Sequence, residues 1–549
     1  MGRATVIALA GVLACVLAWL LARSWPAPPV ERATLASVAF VPLWSGLALA
    51  GLAWSRRARP GHARRSLFAL HRRMGGGLVV VAMLLFGSGV GAVLDRALAS
   101  WQVRAEPTEV APASEQALDQ ALAELLRLHP ELGQADIALH PAGPDHPWIQ
   151  ADFFDRDRKP VRVDLDPQTG AVLARGQGPL WVLREFHRRL LLQPVLGESV
   201  LGVLGLCLAL VLLSGLATRR WLRSRSTASK QPTTMRAHQW LGLGLLPAAI
   251  VWTWTGALLG LTLIIVPIVG GAAYGGDRTK LMHDVLAVDR PPLDERSVTT
   301  PALHELVSRG CPTIHEQLPE LEVHRVVIHH PTQASGTVRV DLEGPGLLTR
   351  ASFTVGADGS LRDCRALPSA GVGLESFMTS IALHYGEWEG RWFPRVLVDV
   401  VYLVLGSGLL ALAWLGGCLL ARRRERDGDA AGALRLRRWL TSVGLGMCLI
   451  TVGLAMLSRV PALARNDSAA LLLSAATVVA VVLWTFTGEL ERRRRALALA
   501  LAVGLLAIPV VGWLLASAAP GGIEAVAVVV AAGLLVAARR RFPEHASVG

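Results

Sequence analysis

The stretch HRRMGGGLVVVAMLLFGSG (residues 71–89) has a counterpart in HQWLGLGLLPAAIVWTWTG (residues 238–256), and the two together decide how the chain is organised. Each begins with a histidine, runs into an apolar segment and reaches a hydroxyl residue followed by glycine, the hydroxyl lying 17 positions after the histidine. An ionisable side chain is costly in lipid and usually marks a functional site, and histidine is the commonest metal ligand among side chains. The duplicated His71 and His238 therefore predict a pair of ligands at one depth of a membrane.

The apolar content places the chain among the polytopic membrane proteins. Hydrophobic residues make up 52% of the 549 positions. A bilayer crossing needs about 20 mostly apolar residues. The sequence therefore predicts about ten transmembrane helices, near residues 4–22, 34–54, 74–94, 196–217, 239–270, 395–420, 439–458, 468–487, 496–516 and 521–538.

The formal net charge of +13 is carried largely by arginines between the apolar stretches. Clusters lie at residues 56–65, 219–225, 422–424 and 492–495. The positive-inside rule assigns these loops to the cytoplasm, and ten crossings then place both termini there as well. Because basic loops beside an anionic leaflet need no other partner than the lipid bilayer, nucleic-acid binding is not expected.

Two long segments, residues 95–195 and 271–394, lie on the side opposite the arginine clusters, and each is long enough for a small domain. Apolar residues at helical spacing predict a helix over 114–128 in the first segment and near 300–308 in the second. Alternating polarity predicts strands at 148–153, 161–165, 171–174, 323–329, 337–342 and 351–355. Each segment is expected to form a small α+β unit.

Each outer segment ends in a further histidine ahead of the next apolar stretch. His187 lies in Phe186-His187-Arg188-Arg189, and Ser214-Gly215 follows it by 27 residues. His384 lies in Leu383-His384-Tyr385-Gly386, and Ser407-Gly408 follows it by 23 residues. The two separations differ by about one helical turn. The chain therefore looks like two copies of one unit, each with an inner and an outer histidine.

These histidine motifs and the turn Asp166-Pro167-Gln168-Thr169-Gly170 resemble the PepSY-associated transmembrane family over roughly residues 64–425. The resemblance implies a bacterial inner-membrane protein with two periplasmic PepSY-like α+β domains inserted in an internal repeat. Some members of that family are iron-uptake proteins and ferric-siderophore reductases that carry b-type haem. The implied activity is the single-electron reduction of a periplasmic ferric chelate.

The expected domain boundaries follow from this repeat. They are two N-terminal transmembrane helices with a basic loop (1–63), a core helix (64–94), the first outer domain (95–195), two core helices (196–270), the second outer domain (271–394), a core helix (395–425) and four further helices (426–549). The first two and last four helices exceed the smallest members of the family, and their role is open.

The resemblance implies two non-covalent b-type haems held by His71, His238, His187 and His384. Imidazole suits iron, and two axial histidines leave no open position on the metal, which favours electron transfer. By topology the simplest pairing is His71 with His238 on the cytoplasmic side and His187 with His384 on the periplasmic side. Candidates for binding the haem propionates are the flanking Arg72, Arg73, Arg188 and Arg189. The alternative is that these arginines are ordinary interfacial anchors.

The source of the electrons is not encoded in a recognisable motif. No Walker phosphate loop or dinucleotide fingerprint occurs in the sequence, so the donor would be a cytoplasmic reductase, a reduced flavin or membrane quinol. Candidates for the surface that docks the chelate are Trp148, Tyr385, Trp388 and Trp392. The alternative for the last three is that they are aromatic residues of the membrane interface. Cys311 and Cys364 share the second outer segment, where the oxidising periplasm allows a disulfide.

Two other classes of function are compatible with the sequence. One is a non-redox permease or ligand-binding membrane protein of iron uptake, whose outer domains capture a ligand. The other is a regulator whose outer domains bind or inhibit an extracytoplasmic peptidase. The absorption spectrum of the purified protein separates both from a haem protein.

Overall fold

The structure is a computed structural model of the whole chain. It describes residues 3–54, 62–97, 115–143, 148–156, 160–222, 233–277, 280–281, 296, 302–309, 314, 316, 320–344, 350–366, 372–386, 395–458, 467–516, 527–528 and 530–532. These residues form a bundle of long apolar helices and one β-sheet.

The helices follow the order expected for two repeats flanked by additional helices. They are α1 (Arg3–Ser24), α2 (Pro29–Trp54), α3 (His62–Ala97), α4 (Glu115–Leu128), α5 (Trp181–Arg189), α6 (Pro194–Leu222), α7 (Thr233–Gly244), α8 (Leu246–Ala273), α9 (Leu303–Arg309), α10 (Val372–Tyr385), α11 (Arg395–Arg426), α12 (Ala430–Leu457), α13 (Asp467–Phe486) and α14 (Leu490–Ala516).

Within the described residues, eight helices are long and apolar enough to cross a membrane: α1, α2, α3, α6, α8, α11, α12 and α13. They coincide with the first eight predicted spans, and the protein is a polytopic α-helical membrane protein. The predicted span at 496–516 falls on α14. The predicted span at 521–538 lies mostly outside the described residues.

One predicted span, residues 239–270, is divided in the structure. Helix α7 ends at Gly244 and α8 begins at Leu246, with Pro247 in the first turn of α8. Proline lacks the N–H that would continue the hydrogen-bond ladder, and its ring clashes with the preceding turn. The candidate membrane span therefore begins at Leu246, and His238 lies on α7, ahead of the break.

The strands of both outer segments form a single antiparallel sheet. They are β1 (Asp136–His140), β2 (Ile149–Phe154), β3 (Pro160–Leu165), β4 (Val172–Arg175), β5 (Glu322–His329), β6 (Thr337–Glu343), β7 (Arg350–Gly356) and β8 (Leu361–Ala366). Their order is β4-β3-β2-β1-β5-β6-β7-β8. The sequence predicted six of these strands and missed β1 and β8.

The contact between β1 and β5 joins the first repeat to the second. Ile137 lies opposite Ile328 in this antiparallel pair, and Asp136 lies opposite His329. An edge strand leaves a row of unpaired backbone N–H and C=O groups. Pairing β1 with β5 covers one edge from each segment, so the two segments share one sheet, a feature that the sequence did not indicate.

One face of the sheet is apolar and is covered by α4 and α9. Ala117, Ala121 and Leu125, spaced by one helical turn on α4, are fully buried against Ile137, Phe353 and their neighbours. Asp119 on α4 accepts a hydrogen bond from the His304 ring on α9 at 2.6 Å. Cys364 on β8 is disulfide-bonded, and its predicted partner Cys311 lies outside the described residues.

Small residues set the closest packing in the helix bundle. Helices α6 and α8 approach so closely that a methyl group added to Gly260 would lie 2.5 Å from the backbone nitrogen of Gly202. Such contacts let membrane helices gain dispersion energy in the absence of a hydrophobic driving force. Helices α1 and α2 pack on α8, whereas α12 packs on α3 and α11.

Candidate functional site

The four predicted histidines lie on four helices and are brought together in two pairs. His187 on α5 and His384 on α10 have ring centroids 6.1 Å apart and ring planes 20° from parallel. His71 on α3 and His238 on α7 are close enough for their rings to interact electrostatically. Each pair takes one histidine from each repeat.

Each imidazole packs against a glycine on another helix. A Cβ atom added to that glycine would come closer to the ring carbon Cε1 than an ordinary van der Waals contact allows. The distance would be 2.9 Å at Gly215 facing His71, 3.0 Å at Gly89 facing His187, 3.1 Å at Gly256 facing His384, and 3.3 Å at Gly416 facing His238. Any larger residue at these positions would press on the ring. The four contacts are thus variants of one arrangement.

A backbone carbonyl explains why the glycine is needed. The Nδ1 atom of His71 lies 2.9 Å from the carbonyl oxygen of Val211, four residues before Gly215. The Nδ1 atom of His187 lies 3.0 Å from the carbonyl oxygen of Leu85, four residues before Gly89. In an α-helix that carbonyl accepts from the N–H four residues later. Without a side chain at that later position, an imidazole can reach the same oxygen and donate to it.

The second repeat varies this arrangement. His384 Nδ1 lies 2.9 Å from the Thr255 hydroxyl, which itself donates to the Val251 carbonyl at 2.7 Å. The His238 ring interacts with the carbonyl of Leu412, four residues before Gly416. The Nδ1 atom of His238 is buried outside hydrogen-bond geometry, so this contact is looser than the other three.

These contacts determine which ring nitrogen is free. A carbonyl oxygen can only accept, so Nδ1 of His71 and of His187 must carry the proton, which leaves the Nε2 lone pair available. Metal-bound histidines usually donate their other N–H to a carbonyl or carboxylate in this way. In the described part of the chain, no group of three or more histidine, cysteine or carboxylate side chains forms a metal site. The pair His187 and His384 offers a metal two imidazole ligands.

The separation of His187 and His384 suits one metal ion between two imidazoles. Two imidazoles that share one metal ion would have ring centroids on the order of 6 Å apart, given a metal–nitrogen bond of about 2 Å, as zinc forms with histidine, and roughly 1 Å from ring nitrogen to centroid. The observed 6.1 Å agrees with this value. The donor set fits a haem iron, which takes two axial protein ligands.

A cavity of about 1030 Å³ opens above this pair and reaches the sheet. Gly89, His187, Gly256 and His384 line its membrane end. Its other end is formed by polar residues of the sheet and its loops, Trp148, Gln150, Arg162, His324 and Glu343. The volume is at the upper end of the range for ligand sites in proteins. The cavity therefore links the histidine pair to the junction of the two outer segments.

The sequence model of the PepSY-associated TM region family matches residues 68–423, which include all four histidines and all eight strands. The chain belongs to the PepSY-associated TM region family. An uncharacterized protein of Pseudomonas aeruginosa is 25% identical to it over 276 residues, which cover 48% of this chain and 67% of that protein.

The arginines predicted to lie beside a cofactor differ in their surroundings within this family region. Arg188 lines the cavity and lies 3.5 Å from Glu198. Arg189 forms an ion pair with Glu185 on its own helix. Next to His71 in the sequence, Arg72 is half-buried and Arg73 is exposed. Their assignment to propionates stays a prediction.

Arg184 is a cavity residue that sequence reasoning missed. Its Nη1 donates to the buried Asp95 carboxylate at 2.5 Å, and its Nη2 donates to the Gln177 side chain at 2.9 Å. All three residues line the cavity. Arg184 stands in the same arginine-rich run as His187, about one helical turn before it, and this position was the signal available in the sequence.

The Ser407-Gly408 pair is a correction to the sequence analysis. Its position after His384 in the sequence predicts that it is equivalent to Ser214-Gly215, the pair that follows His187. In the structure Gly408 faces Leu245, whereas Gly416 occupies the place equivalent to Gly215. The separation along the chain could not show this, because the partner histidine lies on another helix.

The environment of the cavity pair keeps both rings uncharged at neutral pH. Burial lowers the pKa of His187, although its hydrogen bond to Leu85 acts in the opposite direction. Burial, together with the neighbouring His187 ring, lowers the pKa of His384 to about 3. Neutral imidazole is the form that binds a metal.

Proposed function

We propose that the protein is a transmembrane b-type dihaem oxidoreductase that passes electrons from the cytoplasmic side of a bacterial inner membrane to a ferric chelate, such as a ferric siderophore, in the periplasm. The observation that carries this proposal is the pair His187 and His384, 6.1 Å apart and facing a cavity that reaches the sheet. His71 and His238 form the second pair.

The chain's own residues would orient and tune two haem groups. The carbonyls of Val211 and Leu85 fix the tautomer of His71 and His187 and make their Nε2 atoms better donors to iron. The facing glycines give the rings room. Haem iron bound at these positions would supply one-electron chemistry, accepting and giving single electrons.

The sheet end of the cavity is the candidate site for the chelate. Trp148 and Tyr385, two of the aromatic residues suggested for docking, line the cavity, while Trp388 and Trp392 lie outside the described residues. Addition of one electron converts ferric to ferrous iron without breaking a covalent bond. Hard oxygen ligands hold the ferrous ion less tightly, so the metal is released for uptake. The donor would be a cytoplasmic reductase, a reduced flavin or membrane quinol.

The first test is the absorption spectrum of the full chain purified in detergent from cells grown with ample haem. We expect a reduced-minus-oxidised difference spectrum of low-spin b-type haem. A folded but colourless protein would refute the redox function. It would favour instead a permease or ligand-binding protein, or a regulator of an extracytoplasmic peptidase.

The second test separates electron transfer from haem storage. Chemically reduced protein is mixed with a ferric hydroxamate chelate, and the ferrous iron is trapped with a chromogenic chelator. We expect one haem to be oxidised for each ferrous ion formed. The variant His187→Ala should form ferrous iron much more slowly. His129→Gln is the matched control, because His129 lies on the sheet domain away from the cavity residues. Equal rates in both variants would exclude the outer pair from the reaction.

A further inference from the structure

The two helices that carry the cavity histidines are short. Helix α5 has 9 residues and α10 has 14, so neither crosses the membrane alone. Isolated helices of this length are marginal, and their positions depend on what they pack against. Since His187 and His384 must lie at a set distance to share one metal ion, the neighbours of α5 and α10 decide whether the site forms.

Helix α10 packs against the N-terminal helix α2. Phe377 is 2% exposed and lies in one apolar cluster with Ala33, Ala36 and Phe40 of α2. At the start of α10, a Cβ atom on Gly373 would collide with the Glu31 carbonyl oxygen. The backbone of α10 therefore rests directly on the first turns of α2.

Helix α5 packs mainly on α3 and α6, and its N-terminal end also meets helices from the other end of the chain. Leu180 and Leu183 are buried in an apolar cluster that includes Met447 of α12 and Ala470 of α13. The backbone N–H of Gln177, just before α5, donates to the Asp467 carboxylate at 3.2 Å. Asp467 is the first residue of α13. The chain leading into α5 is thus tied to the C-terminal helices.

The helices that make these contacts lie outside the family match at residues 68–423. Helix α2 precedes it, and α12 and α13 follow it. We propose that the added N- and C-terminal helices are positioning elements, one holding α10 and the other α5, which together fix the His187–His384 separation. What the pair holds rests on the proposed function, whereas the mechanical role does not.

The physical basis is the small tolerance of a two-ligand site. Ligands must be held within about 0.5 Å of their working geometry by residues that are themselves locked. His384 has its Nδ1 contact to Thr255 on α8, but the axis of α10 is set by its contact with α2. Movement of α10 away from α2 would pull His384 from the shared metal while leaving the His71–His238 pair intact.

The test compares two glycine-to-alanine changes in the full-length protein. Gly373→Ala introduces the collision with α2, whereas Gly46→Ala, on α2 itself, has no atom within 4 Å of the added Cβ. Carbon monoxide binds reduced haem only where an axial position is open. We expect Gly373→Ala to raise the fraction of haem that binds carbon monoxide from near zero to about half, because one of two haems is affected. Gly46→Ala should bind none. If Gly373→Ala does not fold, Phe377→Leu tests the same contact more gently.

The α5 contact is tested with Asp467. Asp467→Ala removes the acceptor for the Gln177 N–H, whereas Asp467→Asn retains a carbonyl oxygen there. We expect carbon monoxide binding to increase in Asp467→Ala and to be restored towards the unaltered protein in Asp467→Asn. Equal behaviour of the two variants would overturn the role of this contact.

Hydrogen exchange distinguishes failure of this inference from failure of the haem assignment. In Gly373→Ala, amides of residues 372–385 should exchange faster, and those of α5 should not, whether or not haem is present. Faster exchange in a protein that never binds haem would keep the mechanical role and refute the dihaem function. A haem-containing protein with unchanged exchange and no carbon monoxide binding in Gly373→Ala would overturn the positioning role.

Discussion

The two repeats position their histidine rings through different hydrogen-bond partners. In the first, His71 and His187 both donate to backbone carbonyls, at 2.9 and 3.0 Å. In the second, His384 uses the Thr255 hydroxyl and His238 makes a looser contact. Helix α3 is continuous, whereas its counterpart is broken between α7 and α8. A glycine against each imidazole is common to all four sites. The ring–glycine contact, and not the path of the helix, is therefore the feature the site requires.

The largest effects are expected from removing that common feature. Alanine at Gly215, Gly89, Gly256 or Gly416 would press on a histidine ring from 2.9, 3.0, 3.1 and 3.3 Å, respectively. Each change should lower the haem content of the purified protein by up to about half, since one of two sites is affected. The loss should be greatest for Gly215→Ala and least for Gly416→Ala.

Gly77→Ala is the control for this series, because no atom lies within 4 Å of the added Cβ. The haem-to-protein ratio, measured after conversion to the pyridine complex, checks the order. If Gly77→Ala loses as much haem as Gly215→Ala, helix propensity and not the ring contact explains the result.

The next effect concerns the outer segments, which differ in their core. Phe353 on β7 is 2% exposed, and Val163 occupies the corresponding place on β3. Phe353→Ala should cost about 3–5 kcal/mol of sheet stability, and Val163→Ala should cost less because fewer buried atoms are removed. Hydrogen exchange of the strand amides measures both.

Hydrogen exchange also tests whether the strands of the two outer segments unfold together. Because β5 pairs with β1, loosening caused by Phe353→Ala should extend into β1 and β2 of the first repeat. An effect confined to β5–β8 would show that the two halves of the sheet open independently.

The smallest effects are expected from removing the hydroxyl groups that lie beside the two cavity histidines, because only His384 depends on its hydroxyl partner. Thr255→Val removes the acceptor for His384 Nδ1, whereas after Ser88→Ala the His187 Nδ1 retains the Leu85 carbonyl. A lost hydrogen bond makes the imidazole a weaker donor, which disfavours ferric iron. Because a hydrogen bond contributes about 1 kcal/mol, its loss in Thr255→Val should raise the midpoint potential of one haem by roughly 40 mV. Ser88→Ala should shift it less. Equal shifts in a redox titration would contradict the assigned partners.

Local patterns in the sequence predicted much of this fold. The eight apolar spans, helix α4 and six strands depend on composition and periodicity within a few residues, and the structure has them near the predicted positions. Strand β1 (Asp136–His140) was missed because Ala138 lies between Ile137 and Leu139, so the three apolar residues in a row hide the alternation. The break before α8 was signalled by Pro247 but was hidden in an apolar run that is long enough to span continuously.

The candidate site was predictable only in part. The histidines stood out because they are ionisable residues repeated at the ends of apolar spans. Gly89, Gly215 and Gly256 stood out as members of hydroxyl–glycine pairs, but the histidine that each one faces did not, because Gly89 lies against His187 and not against the histidine of its own helix. Likewise, the pairing of β1 with β5 joins residues nearly 200 positions apart, since Asp136 lies opposite His329. Such relations depend on which elements become neighbours, and spacing along the chain does not carry that information.

The most direct test of the account is the haem content of paired histidine variants. If His187 shares a haem with His384, and His71 with His238, the double variant His187→Ala/His384→Ala should retain about one haem per protein. The double variant His71→Ala/His187→Ala should lose both, because each change disables a different pair. Retention of a low-spin haem by the second double variant, or its complete loss from the first, would contradict the pairing.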